Sequence, residues 1–337
     1  MSSETVQTSF RSPLARSKEI LQRLAAQYEF DHATVAVSGG TDSAIAADVF
    51  ARLGPDYGFE LDSLVHINTG AAVPQSRLVA KIVAEMHDLE FIQQGYRNDQ
   101  DALAARILAN GWPGDYGGSP TTGGHGLEWA NRKHKPMEEV YVNIDGLQLW
   151  VSGARKLESK KRQGNVPDSG IEKDKPRRVW CSIISGWTSA EKRAYIQDRG
   201  LPVSEAYLTL GFSGECVACA HDNMGLLTDI DLVCPELSYC IRSLAVWLSQ
   251  RVKRGDVDLD QKRLRWGWDV DDDTQTDDGQ QQLTDTAQSM VGCAEGNCKT
   301  MDEKPTWVLD LPEEQLVTRS DVENYWRTGE LPRQFPV

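Results

Sequence analysis

The hexapeptide Ser38-Gly39-Gly40-Thr41-Asp42-Ser43 carries the residue types that can grip a phosphate. Two consecutive glycines let the main chain turn tightly and expose successive N–H groups. Ser38 and Ser43 add hydroxyl donors, and a helix opening near Asp42 adds the positive end of its dipole. The string is neither a G-x-x-x-x-G-K-[ST] phosphate loop nor a G-x-G-x-x-G dinucleotide turn.

The cysteines form a second constellation. Cys216-Val217-Ala218-Cys219 and the pair Cys293 and Cys298 both lie in glycine-flanked loops. Four thiolates are enough for a tetrahedral zinc site or a [4Fe–4S] cluster, and all-sulfur ligation allows either. Cys234 or Cys240 can replace one of the four, and free surface thiols are the plain alternative. Cys181, in an apolar run, reads as a core residue. A third feature is Arg155–Arg178, with nine Lys/Arg against four Asp/Glu. Arg155 and Arg162 offer planar forks suited to phosphate or sulfate. Lys160, Lys161, Lys173, Lys175, Arg177 and Arg178 can meet a polyanion such as DNA, or only solvent. Lys133 and Lys135 stand ahead of them as further phosphate contacts. The histidines show no metal-ligand spacing: His66 reads as a strand residue and His221 as a neighbour of the cysteine loop.

These groups need elements to hold them. Leu14–Tyr28 has apolar residues at helical spacing. Ala33–Val37 is a short β-branched run that reads as a buried parallel strand, and Ala44–Leu53 is an Ala-rich helix beyond the glycine loop. Leu61–Asn68 as strand, Gln75–His87 as helix and Phe91–Gln94 as strand repeat the pattern, which predicts right-handed βαβ units. Gly111–Gly126 is a glycine-rich loop, followed by helical Leu127–Tyr141 and strand-like Leu147–Val151 and Val179–Ile184. Thr188–Asp198 predicts a helix with Thr188 or Ser189 as N-cap and Glu191 in its first turn. The spacing gives an N-terminal helix over 1–30, an α/β domain over 31–215, a helical Cys-bearing region over 216–303 and a tail over 304–337 whose apolar residues dock on the body. Within the third, 269–289 reads as a disordered acidic loop, since Asp269–Asp278 has six Asp in ten residues.

Composition limits the function classes. A formal charge of −14 excludes a protein that coats nucleic acid by bulk attraction, so a polyanion needs a local basic patch. With 29 Asp and 21 Glu against 14 Lys and 22 Arg, the surface is Asp-rich and Lys-poor. That suits a halophilic, high-salt cytoplasm or simply an ordinary acidic protein. No stretch approaches a membrane span, Met1–Arg11 lacks the apolar core of a signal peptide, and seven cysteines are too few for a disulfide scaffold. A cytoplasmic protein without membrane contact is expected.

Ser38–Ser43 resembles the S-G-G-x-D-S loop of PP-loop (adenine nucleotide α-hydrolase) proteins. Further matches resemble the phosphoadenosine phosphosulfate (PAPS) reductase branch. His66-Ile67-Asn68-Thr69-Gly70 with Pro74 is similar to its second strand and turn, and Trp129–Pro136 to its Trp/Lys helix. Gly153–Arg162 resembles its G-x-R-x-x-E-S-x-x-R loop; Gly186-Trp187-Thr188, Leu201-Pro202 and Tyr207 resemble the stretch before its cysteines. Two features depart from the reductases: the last cysteine is Cys298, and Ala130-Asn131 stand where cluster-bearing members have adjacent cysteines. Thr41 occupies a position that is often Lys in such proteins.

The resemblance implies a Rossmann-like α/β fold with a parallel sheet flanked by helices, plus the smaller Cys-bearing region. It implies an adenine nucleotide, ATP or PAPS, with its phosphates on Ser38, Gly39, Gly40, Thr41, Asp42 and Ser43 and its adenosine end against Asn68, Thr69 and Gly70. Lys133, Lys135, Arg155, Glu158, Ser159 and Arg162 would face the substrate anion, and Ser38, Asp42, Ser43 and Arg155 would carry the reaction. With ATP, Mg²⁺ is expected, and cleavage of the α–β bond releases pyrophosphate. The resemblance tilts Cys216, Cys219, Cys293 and Cys298 towards [4Fe–4S] over Zn²⁺. ATP cleavage coupled to sulfur transfer, as in Dnd-type DNA phosphorothioation with a cysteine desulfurase as sulfur donor, is the leading expectation. Reduction of PAPS or adenylyl sulfate is the second, and a non-catalytic nucleotide-sensing or nucleic-acid-binding subunit the third.

Overall fold

The computed structural model describes residues 12–70, 72–95, 133–158, 160–214, 224–255 and 306–332. Ser12 caps the first helix, α1 (Pro13–Ala25), by accepting from Ala15 N–H, and Pro13 opens it with a pre-set φ. The chain then alternates β1 (His32–Ala36), α2 (Thr41–Leu53), β2 (Ser63–Asn68), α3 (Pro74–Met86) and β3 (Glu90–Gly95). Next come α4 (Lys135–Val142), β4 (Gln148–Ser152), the short α5 (Lys160–Asn165), β5 (Ile171–Lys175) and β6 (Arg178–Ser182). After them lie α6 (Ser189–Arg199), β7 (Val203–Ser204) and α7 (Ala206–Leu210). Two helices, α8 (Met224–Val233) and α9 (Pro235–Lys253), form a hairpin, and β8 (Leu316–Val317) leads into α10 (Arg319–Thr328).

Six strands make one sheet in the order β3-β2-β1-β4-β6-β5. Every neighbouring pair is parallel except β5 and β6, which run antiparallel at one edge. The chain winds outward from β1 to β3, then crosses back to place β4 on the other side of β1. That reversal puts a topological switch point between the carboxyl ends of β1 and β4, where ligands collect in open α/β sheets.

Because parallel strands are covered on both faces, the middles of β1 and β4 are buried: Val35, Leu149, Trp150 and Val151 are all fully so. The helix α2 is sunk into the same core through Ala44, Ile45, Ala46, Ala47, Val49 and Phe50. Ile20, Leu21 and Leu24 of α1 join it, as do Val308, Leu311, Val317 and Val322 from the distal end of the chain. β8 enters by pairing in parallel with β7, Val203 opposite Leu316 and Ser204 opposite Val317. A smaller cluster of Val73, Ala206, Leu210, Ile230, Val233 and Cys234 fixes the α8–α9 hairpin against α3 and α7. No helix among the described residues is long and apolar enough to cross a membrane.

The Thr188 N-cap forms as the sequence predicts: its hydroxyl accepts from Glu191 N–H while the Glu191 carboxylate accepts from Thr188 N–H. β5 is not among the predicted strands. It is an edge strand whose Glu172, Lys173 and Asp174 are exposed, so its pattern is that of a solvated loop.

Candidate functional site

The strand β1 ends beneath the loop Ser38–Ser43, and the loop holds its own shape. Ser43 Oγ donates to Gly40 O at 2.9 Å and accepts from Ser38 N–H at 3.2 Å. Ser38 Oγ accepts from Gly40 N–H at 3.3 Å and lies 3.3 Å from Ser43 Oγ. Each hydroxyl has one proton, so with Ser43's spent on Gly40 the proton between the two serines belongs to Ser38. Gly39 sits at φ +87°, where a Cβ would come within 2.0 Å of the Ser76 carbonyl oxygen at the start of α3. Only glycine lets the turn approach α3 this closely. The imidazole of His66, in β2 as expected, has Nδ1 2.9 Å from Val37 O and so fixes the residue that enters the loop.

The second switch-point strand delivers Gly153 and Arg155. A Cβ on Gly153 would stand 2.5 Å from the Asp42 carbonyl and 2.6 Å from Ser43 N, so the β4 exit lies directly on the amino end of α2. Arg155 is buried, donating from Nε to Asp42 Oδ2 at 2.7 Å and from Nη1 to Trp187 O at 3.2 Å. Lys192 reaches in from α6 and places Nζ 2.6 Å from Asp42 Oδ1. Burial pushes the Asp42 carboxyl up, but Lys192 and Arg155 more than offset it and hold it below the usual carboxylate range. One ionised carboxylate therefore binds two cations beside the loop's main-chain donors.

The roof is Tyr207 of α7, with its hydroxyl 3.4 Å from Thr41 Oγ1 and 3.5 Å from Thr41 N. Burial raises this phenol to about 12, so it stays protonated at neutral pH. Trp307 packs against the Tyr207 ring at 6.4 Å between centroids. On the far side, Ser76 Oγ donates to Ser213 O at 2.5 Å and Val73 N–H to Gly214 O at 2.8 Å, which pins the chain just before Cys216.

The structure thus brings Ser38, Gly39, Gly40, Thr41, Asp42, Ser43 and Arg155 together. Asn68, Thr69 and Gly70 follow at the carboxyl end of the neighbouring β2, with Asn68 Oδ1 accepting from Gly70 N–H at 2.9 Å. Glu158 closes a short turn by donating its N–H to Arg155 O at 3.3 Å. Lys135 opens α4, and Lys133 stands two residues before it. Ser159, the Arg162 side chain, His221, Cys216, Cys219, Cys293, Cys298 and the 269–289 segment lie outside the described residues. Cys181, Cys234 and Cys240 are buried free thiols whose pKa burial raises. No group of three or more His, Cys, Asp or Glu side chains suited to a metal occurs among the described residues.

Much of the basic stretch is engaged internally. Arg178 donates to Glu138 at 2.7 Å and to Asp174, and stacks on Tyr141, Trp150 and Trp180. Lys175 pairs with Glu138, Lys156 with Asp168, and Arg177 with Asp145. Lys192 was not among the residues expected at the site. Its one sequence signal is a cation at the fourth position of a helix, close to the positive dipole end where basic residues are less favourable.

Residues 32–213 match the family model of the phosphoadenosine phosphosulfate reductase domain. Over 88 residues the chain is 34% identical to the adenosine 5'-phosphosulfate reductase of Staphylococcus epidermidis, covering 26% of this chain and 34% of that protein. The chain thus spans about a third of the length of the curated relatives it matches. A solved phosphoadenylyl-sulfate (PAPS) reductase from Candida auris, in a phosphate complex, is similar at 18% identity and TM-score 0.40, covering 58% of this chain and 82% of that one. The NMN synthetase of Francisella tularensis is similar at 12% identity and TM-score 0.40, covering 74% and 98%. With more than half its length matched by one family model around this loop, the chain belongs to the PAPS reductase-like family of PP-loop enzymes.

Proposed function

We propose that the chain binds ATP with its phosphates on Ser38–Ser43 and its adenosine end against Asn68–Gly70, and cleaves the α–β bond. An acceptor oxygen attacks the α-phosphorus, the bond to the bridging oxygen breaks, and pyrophosphate leaves with the electron pair. The observation that carries this reading is the meeting of an anion-sized loop with two cations on one carboxylate, Arg155 and Lys192 on Asp42. Such a site works by positioning the nucleotide and neutralising charge that develops on phosphate oxygens, without an acid/base couple. Mg²⁺ accompanying ATP would supply further neutralisation of phosphate charge, with the phosphate oxygens as its main ligands.

Sulfide-level sulfur then attacks the adenylylated acceptor, as in DNA phosphorothioation: the bond to sulfur forms as the bond to the AMP-bearing oxygen breaks, and AMP leaves. A thiol reductant supplies the two electrons that release this sulfur from a persulfide. Cys216, Cys219, Cys293 and Cys298 in the 216–303 region would hold a [4Fe–4S] cluster, or Zn²⁺ as a structural alternative, fed by a cysteine desulfurase. The chain leaves the loop's edge at Gly214, two residues before Cys216, which supports a role for that pair near the nucleotide. DNA would meet the part of 155–178 that internal ion pairs leave uncovered. A second reading, reduction of PAPS or adenylyl sulfate, is favoured by the segment shared with the staphylococcal reductase.

The test is a turnover panel on anaerobically purified protein with metal analysis. Pyrophosphate release from ATP, lost in Asp42→Ala, supports the first reading. Sulfite release from PAPS or adenylyl sulfate with a thiol reductant replaces it with the second. Nucleotide binding without turnover leaves a sensing or nucleic-acid-binding subunit. Absence of both iron and absorbance near 400 nm removes the cluster.

A further inference from the structure

We propose that Lys192 is a phosphate-binding residue, held on Asp42 until the nucleotide arrives and then transferred to a phosphate oxygen. The inference rests on the reading that nucleotide phosphates occupy Ser38–Ser43. The helix dipole disfavours a cation at this position, so the placement is explained by what Lys192 reaches across the gap to α2. There its ammonium and the Arg155 guanidinium divide the two oxygens of Asp42 between them, at 2.6 and 2.7 Å.

The two cations are not equivalent. Arg155 is fixed, with its side chain 5% exposed and a second bond to Trp187 O. Lys192 is a point charge on a flexible four-carbon stem and can re-aim its ammonium at low cost. When an anion enters the loop, Lys192 can turn to it while Arg155 stays and keeps Asp42 ionised. The helix that carries Lys192 is set in register by a contact needing no ligand. Asp48 of α2 is fully buried and accepts from Tyr195 Oη at 2.5 Å and from Arg199 Nε and Nη2 at 3.2 Å each. Lys192, Tyr195 and Arg199 are spaced three and four residues apart, on one stripe of α6, so the Asp48 contact aims Lys192 at the loop. A compact ammonium suits a phosphoryl oxygen, and its contribution should appear only for ligands that carry phosphate.

The experiment measures binding of adenosine and of an ATP analogue with an uncleavable α–β bond to the full chain, in the wild type, Lys192→Gln, Lys192→Met and Lys192→Arg. Met keeps the length and apolar character of the stem without the charge, while Gln, one bond shorter, keeps a neutral N–H donor, so the pair separates lost charge from lost packing. The expected result is about a tenfold loss of analogue affinity in Lys192→Gln, the equivalent of one charge-assisted hydrogen bond. Adenosine affinity should stay within about twofold, and Lys192→Arg should recover most of the loss. Wild-type protein that binds no nucleotide removes the reading of the loop itself. Wild-type protein that binds the analogue, with Lys192→Gln and Lys192→Met binding it equally well, overturns the role of Lys192 alone. Equal loss for adenosine and analogue, with a lowered melting temperature, also overturns it, because Lys192 would then be only structural.

Discussion

Asp42→Asn takes one negative charge from between two cations while keeping the size of the side chain. In the native site the Arg155 and Lys192 side chains are 5% and 14% exposed and that of Asp42 is 21% exposed, so the triad is largely shielded from water. Removing one partner of a buried ion pair leaves an uncompensated charge and costs roughly 3–5 kcal/mol. Because Lys192 can turn outward, the lower figure applies, about 3 kcal/mol. At about 2–4 °C per kcal/mol for a domain of this size, the melting temperature should fall by about 6–12 °C. The pH dependence has a definite sign. The folded-state pKa of Asp42 lies below its ordinary 3.8, so its stabilisation is complete above that value and is lost as pH falls through the folded pKa. Urea titrations at low salt should therefore show the full gap between wild type and variant at pH 7, and a shrinking gap below pH 3.8. Sulfate should narrow it at neutral pH, since an anion bound between the freed cations stabilises the variant by about 2.7 kcal/mol at a hundredfold excess over its Kd. A variant within about 0.5 kcal/mol of wild type, the range of neutral surface changes, would refute the buried triad.

Gly39→Ala should cost at least about 2 kcal/mol more than Gly58→Ala in chemical denaturation, because both pay the left-handed backbone penalty but only the first meets a carbonyl oxygen. Burial holds the His87 pKa below 6.5 despite Asp48 3.5 Å away, so the native state keeps it neutral. Stability should decline as pH falls from 6.5 towards that lower pKa, and urea midpoints between pH 8 and 5 should flatten in His87→Gln. Arg178→Lys loses the fork to Asp174 and the ring stacking, and should destabilise by about 2–3 kcal/mol in urea. It should leave nucleotide affinity unchanged, since Arg178 begins β6 and the loop lies beyond the opposite, carboxyl ends of the strands.

The loop and its flanking elements were legible because their signals are local. A β-branched run, two glycines and an Ala-rich helix follow one another without interruption, and Thr188 and Glu191 form their capping box within one turn. Arg155 was legible as a strand-end arginine, although its first partner is Asp42. What escaped depends on distant partners. The charges of β5 resemble a solvated surface until Glu138, on a helix more than thirty residues earlier, is brought against Lys175 and Arg178. Lys192 is unremarkable in sequence beyond its misplaced charge, and only the pairing of α6 with α2 reveals its target. The helix expected over Leu127–Tyr141 is described from Lys135 onward and runs to Val142.

The pairing of β7 with β8 joins residues 203–204 to residues 316–317. Joining segments so distant costs about 4 kcal/mol of chain entropy, yet each doubling of the connection adds only about 0.6 kcal/mol. The Asp-rich stretch inside that connection can therefore lengthen or shorten between homologues with almost no thermodynamic consequence. During synthesis the lid above Thr41 acquires its strand partner and its Trp307 buttress only after every strand of the main sheet has already left the ribosome. Nascent protein should thus gain nucleotide affinity late, as its last step of maturation.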